Sequence, residues 1–427
     1  MSHFGVIAPP LHSHVKAFEA LAVRLIERGH RVTFFQQGEA RALLDDPRIG
    51  FYAIGQQSHG EGTLAKLNAT LAHPSGFGLI GTIRALATTT DMLCRTLPAA
   101  LDAQQVDGLL VDQMEPAGGL VAEALALPFV SVACALPINR EPGMPLPVMP
   151  FAYADDAQSL KKYAVSERIH DRLMAAQRRV IARWAQAFGL PARAHAHAHA
   201  CLSPLAQISQ TIPAFDFPRR ALPTHFHAVG PLRLPAAPIV KTLTPSLPEE
   251  PFVFASLGTL QGHRVRLFAK IAHACRRLDT PLLVAHCHRL SPAQAARLEA
   301  IGATTVVGGV DQPRVLRQAQ AVVTHAGLNT VVDAIESATP MLALPLAFDQ
   351  PGVAARVAHH GLGRRASRFA SHRALAAHLE RLLGDPGYRQ RLARMQAALA
   401  QAGGAERAAN IVERALGQNR PVEQEAA

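Results

Sequence analysis

Two short apolar runs, Ala321-Val322-Val323 and Met341-Leu342-Ala343-Leu344, are each bounded by turn or breaker residues and followed by a helical period. That alternation predicts strand, loop and helix, repeated. Between the runs, Leu328, Val331, Val332 and Ile335 form an i, i+3, i+4, i+7 apolar stripe, with Asn329, Asp333 and Glu336 on another face. The N-terminus carries the same pattern. Residues 4–8 read as a buried strand, residues 9–14 as a loop, and Phe18, Leu21, Ala22, Leu25 and Ile26 as a helical stripe closed by Gly29. Residues 31–35 open the next strand, and residues 107–112 read as another, ending on Asp112. Strands joined through helices make a parallel sheet, and all their strand-to-helix loops lie on one rim.

The rim loops carry the chemistry. His325-Ala326-Gly327 opens a helix, whose first N–H groups lack internal partners and carry partial positive charge. Gly327 lets a ligand approach that backbone, so a phosphate fits there, with His325 as a further donor. Asp333, two turns in, can accept from a ribose hydroxyl, and Asp349 and Gln350 on the next loop can hold sugar hydroxyls. Phosphate, ribose and sugar sites side by side describe a nucleotide sugar.

These residues resemble the donor-binding signature of the nucleotide-sugar-dependent glycosyltransferases of the GT-B fold. In that family a His-x-Gly-x-Asn-[Ser/Thr] loop meets the pyrophosphate, an acidic residue meets the ribose, and an Asp/Glu-Gln pair meets the sugar. His325, Gly327, Asn329, Thr330, Asp333, Asp349 and Gln350 stand at those places. Val310 and Leu328 replace aromatic residues found in many relatives, one of which stacks the base; Gln312 is assigned to the donor site with Val310. Ser256, Gly258 and Thr259 are similar to the family's Ser-x-Gly-Ser/Thr loop beside the diphosphate. Arg28-Gly29-His30-Arg31-Val32-Thr33 matches the end of the family's opening unit. His14-Val15 falls on its His-Val pair, while Ser13 and Lys16 depart from the pattern.

The resemblance implies an α/β chain of two Rossmann-like, doubly wound domains facing each other across a cleft. It implies His14 as general base, preferred over the nearby His12, because an imidazole titrates near neutrality. Asp112 is then the carboxylate that orients it; capping of the following helix is the competing role. The expected reaction is an inverting, metal-independent glycosyl transfer, since no Asp-x-Asp motif is present to bring a metal to the phosphates. No cofactor is expected beyond the co-substrate. The chain is similar over its whole length to the carotenoid-glucosylating branch of the family. That implies UDP-glucose as donor and zeaxanthin as acceptor, with a macrolide or other polyketide as the alternative. A nucleotide-sugar epimerase and a non-catalytic two-lobed binding protein are the other classes compatible with such a shell.

At 427 residues two domains are expected. They divide as 1–232 for the acceptor, a proline-rich linker 233–250, and 251–418 for the donor, with a tail helix packing back on the first domain and a disordered end, 419–427. Residues 137–150 hold five prolines and several apolar side chains, and read as a wall of an oily acceptor pocket. A long helical region is expected around 159–188. The net charge of +11 comes without the clustered basic residues and aromatics of a nucleic-acid binder, and is compatible with attraction to anionic lipid at a membrane face. No apolar run approaches a membrane span and no signal peptide is visible. Five scattered cysteines fit reduced thiols in a cytoplasm. The alternating His195, His197 and His199, and the His286-Cys287-His288 run, read as turn and packing residues before metal ligands.

Overall fold

A computed structural model describes the chain except residues 74–76, 192–196, 235–246 and 425–427. The first half forms strands β1 (His3–Ile7), β2 (Arg31–Gln36), β3 (Gly50–Ala53), β4 (Gly108–Asp112), β5 (Phe129–Ala133), β6 (Gln207–Ser209) and β7 (Phe226–Ala228). The second half forms β8 (Val253–Ser256), β9 (Leu282–Ala285), β10 (Thr305–Val307), β11 (Ala321–Thr324), β12 (Met341–Ala343) and β13 (Gly363–Arg365). The sheets run in the orders β3-β2-β1-β4-β5-β6-β7 and β10-β9-β8-β11-β12-β13. Their strand pairs are parallel. Helices cover both faces, so the central strands β4, β8 and β11 are buried at every residue.

This topology decides where a ligand goes. The order reverses between β1 and β4 in one half and between β8 and β11 in the other. Neighbouring strands at a reversal send their helices to opposite faces, which opens a crevice at their carboxyl ends. Ile7 pairs with Val111 at the first reversal, and Ser256 with Thr324 at the second. The residues following these pairs are those expected to bind and react.

The chain returns across the halves at its end. Helix Gly387–Ala400 places Leu392, Met395 and Leu399 in the core of the second half. The path turns at Gly403, whose φ of +90° suits glycine. Helix Gly404–Gln418 then inserts Ala408, Ala409, Ile411, Val412 and Ala415 into the core of the first half. Arg28, the C-cap of helix His12–Glu27, reaches Glu413 at 2.6 Å and also Glu406, fastening the two helices together.

Two expectations are corrected. The tail read as disordered from 419 is anchored through residues 422–424: Val422 is buried, its N–H donates to Leu205 O at 2.9 Å, and Gln424 N–H donates to Thr224 O at 2.8 Å. Val422 is a single apolar residue among polar ones, so only its docking beside β7 reveals the role. Residues 12–14 are the first turn of a helix, not loop; Leu11 is its extended N-cap and the two prolines lie before it. The helical region expected around 159–188 forms as two helices, Ala157–Leu173 and Ala175–Ala187, joined at Met174. Most of the linker and His195 lie outside the described residues. Among the described residues no helix is long and apolar enough to cross a membrane.

Candidate functional site

His14 sits in the first turn after β1 and is almost wholly buried. Its Nδ1 lies 2.7 Å from Oδ2 of Asp112, the last residue of β4, which is completely buried. The other carboxylate oxygen accepts from Met114 N–H at 2.8 Å, so Asp112 cannot rotate away. Burial by itself lowers the imidazole pKa, but the charge and hydrogen bond of Asp112, with Asp349 adding, lift it above its ordinary value. With Nδ1–H committed to Asp112, Nε2 is the free basic nitrogen. His12, two residues earlier, is exposed.

Two further groups crowd this pair. Cys134, just beyond β5, brings its sulfur within 4.8 Å of the His14 nitrogen and Asp112 oxygen. Burial, with Asp112 adding, holds its thiol well above the usual range, so it stays protonated. Glu115 is buried beside Asp112, and burial plus that neighbouring charge push its carboxyl up to about 8. Sequence reasoning passed over both. Glu115 follows Asp112 by three residues on the same rim, which was a usable signal.

The second half faces this pair with Asp349. Its carboxylate accepts from Leu136 N–H, at the start of the proline-rich segment, at 3.0 Å. Burial raises the Asp349 pKa, opposed by that N–H and by His14. Gln350 is buried, and its side-chain oxygen accepts from Leu346 and Ala347 N–H at 2.9 and 2.8 Å, closing the loop that presents Asp349. That oxygen is therefore engaged within the protein. The proline-rich segment packs between the halves: Met144 and Leu146 are buried, and Pro147 O accepts from Gly352 N–H at 3.0 Å across them.

At the second reversal the two glycines make room for one imidazole. A Cβ on Gly258 would lie 2.6 Å from His325 Cε1, and one on Gly327 2.5 Å from Nε2. Gly258 also has φ +73°. Burial pulls the His325 pKa down to about 4, so the ring is a neutral donor near pH 7. Gly327 is the N-cap of helix Leu328–Glu336 and no side chain caps it, which leaves the leading N–H groups for a ligand. Ser256 is buried and Thr259 exposed on the adjoining loop. Leu328 is core, not loop surface, and half-buried Val310 packs against the same cluster. Thr330 is buried on the helix.

Asp333 is already occupied. Gln312 Nε2 donates to one of its oxygens at 2.5 Å, and Arg233 pairs with the other. Arg233 also donates to Glu336 at 2.8 Å and to Asn329 O at 3.1 Å. Arg233 was read only as the start of the linker; nothing in its local sequence marks it. Ser13, Gln210, Arg233, Pro313, Asn329 and Asp333 line a cavity of about 580 Å³ between the halves.

Two facing Rossmann-like halves with these loops define a class, and comparison agrees. The family model described as "UDP-glucoronosyl and UDP-glucosyl transferase" matches residues 7–399, and the chain belongs to that family. Glycosyl transfer is therefore its activity. The chain is 53% identical to a zeaxanthin glucosyltransferase of Pantoea ananas over 99% of its own length and 98% of the relative's. It is 52% identical to the enzyme of the same name from Pseudescherichia vulneris, over 97% and 98%. Among solved structures, the kitacinnamycin glycosyltransferase superposes with TM-score 0.74 at 22% identity, covering 97% of this chain and 98% of that one. The calicheamicin glycosyltransferase CalG4 gives 0.72 at 21%, covering 99% and 100%. These two likenesses bear on the GT-B fold alone.

Proposed function

We propose that the chain transfers glucose from UDP-glucose to the ring hydroxyls of zeaxanthin, with inversion at the anomeric carbon and without a metal or cofactor. The observation that carries the chemistry is the buried His14–Asp112 pair at one sheet reversal, with Asp349 of the other half beside it. Nε2 of His14 takes the acceptor proton, and the resulting oxygen nucleophile attacks the anomeric carbon as the bond to the diphosphate breaks. A single displacement turns an α-linked donor into a β-glucoside. Asp112 stabilises the imidazolium that forms.

The departing diphosphate gathers negative charge. The free N–H groups after Gly327, the 256–259 loop and His325 are the groups that would meet it. Asp333 would take the ribose hydroxyls, sharing or exchanging the Arg233 and Gln312 contacts it now makes. Asp349 and Gln350 would meet the hexose. The acceptor is supported by the names of the two full-length relatives and by the apolar wall at 137–150.

The test is a donor and acceptor screen with mass detection. Zeaxanthin and UDP-glucose are expected to give glucosylated product and free UDP only when both are present. Product from a macrolide but not from zeaxanthin would move the acceptor to the polyketides. UDP-sugar turnover without any alcohol would sink the transferase reading. His14→Ala is expected to lose about 10²–10⁴-fold in turnover; near-normal activity would remove it as the base.

A further inference from the structure

Helix Ala157–Leu173 is turned inside out relative to an ordinary surface helix. Val165, Ile169 and Leu173, spaced i, i+4, i+8, are 44, 50 and 47% exposed. They make one continuous apolar ridge on the outer face. Lys161, Arg168 and Arg172 run beside it and are also exposed. None of the three makes an ion pair with any described residue. Lys162 lies over the Phe151 ring at 4.0 Å, its charge on the same side. The acidic residues of the helix look elsewhere: Asp171 is paired with Arg140, and Glu167 is partly buried. Asp155 and exposed Asp156 lie only at its start, where Asp156 caps the first turn.

The helix is tied to the chain just after the proline-rich segment. Tyr163, on its buried side, accepts from Ala154 N–H at 3.0 Å and donates to Ala152 O at 2.5 Å. Phe151 stacks on the same ring. One turn of chain earlier, Val148 is exposed at the end of the proline-rich segment. An apolar ridge that keeps its cations free is complementary to one surface, an anionic bilayer: apolar side chains enter the headgroup boundary while the lysine and arginine heads meet lipid phosphates.

We infer that this helix face docks the enzyme on anionic lipid membranes, presenting the mouth beside residues 137–150 to an acceptor dissolved there. Only its purpose rests on the proposed acceptor; the docking itself is measurable with neither substrate present.

The experiment is sedimentation of the full chain with vesicles of phosphatidylglycerol and phosphatidylcholine, at low and high salt. Binding is expected at low salt, to weaken steeply as salt rises, and to be much weaker on pure phosphatidylcholine. The triple variant Lys161→Glu, Arg168→Glu, Arg172→Glu is expected to lower partitioning by about tenfold or more. Ile169→Gln with Val165→Gln is expected to weaken it at all salt concentrations. Both variants should melt like the parent and glucosylate a detergent-dispersed acceptor normally, because no site residue is altered. Absence of binding to anionic vesicles at low salt would overturn the inference. So would unchanged binding by both variants, or a dimer in light scattering that the Gln pair dissolves, which would make the face an interface between copies.

Discussion

At the scale of the residue, the protein controls protons by neighbours. A base must be unprotonated, so kcat/KM should fall below the pKa of His14, which Asp112 and Asp349 hold above its ordinary value of 6.5. The acid limb of the pH–rate profile is therefore expected above 6.5. Asp112→Asn removes the charge that opposes burial, so the limb should move to lower pH while the plateau falls about 10²–10⁴-fold. A profile that keeps its limb in this variant would dissociate Asp112 from the base. Glu115 makes a separate prediction. Folded, it keeps its proton up to about 8, while the unfolded chain loses it near 4.5. Stability must then decline as pH rises between those values, by up to ~1.4 kcal/mol per pH unit. Glu115→Gln, which mimics the protonated acid, is expected to flatten that slope and raise the melting temperature at pH 8. Unfolding curves at pH 5 and pH 8 measure it.

At the scale of the element, the decisive feature is a tight loop against a helix start. Gly258 and Gly327 both lie against the Cε1–Nε2 edge of the His325 ring, and a methyl group at either position would lie within 2.6 Å of it. Gly258→Ala adds a side chain at φ +73° and displaces the imidazole. The strain should cost about 1–3 kcal/mol. Moving the ring away from the diphosphate should raise the donor KM about tenfold, worth ~1.4 kcal/mol. Calorimetric titration with UDP, beside a melting curve, separates the two effects. Unaltered UDP affinity would show that the loop does not touch the diphosphate.

At the scale of the whole molecule, buried bonds hold the two halves in register. Arg356 of helix Gln350–His359 is 1% exposed. Its guanidinium meets Asp216 at 2.6 and 2.8 Å and lies over the Phe217 ring at 4.2 Å. Asp216 and Phe217 belong to the first half. Removing one partner of such a pair leaves a buried charge, so Arg356→Ala is expected to destabilise by about 3–5 kcal/mol. Denaturant unfolding would register it, and a change under 1 kcal/mol would mean that the halves do not depend on this contact.

Much of this is legible in the sequence. Short buried strands advertise themselves as apolar runs, and parallel strands need helices between them. The alternation along 321–344 and along 4–35 thus implied the two sheets and the rim, and local spacing placed His325, Gly327, Asn329 and Asp333 at one helix start. What separates these from the missed features is range. A helix or a strand-loop-helix unit is a property of neighbouring residues, written in period and spacing. Arg233 on Asp333, Cys134 and Glu115 around the His14 pair, Val422 under β7 and Arg356 on Asp216 depend on segments that meet only after both sheets have wound. Their side chains carry no local signature, because burial and the company of another charge are properties of place. The sequence by itself determined the class of fold and the loops on the rim of each sheet; the tertiary structure alone decided which of those groups are charged, which are already engaged, and how the two halves are locked together.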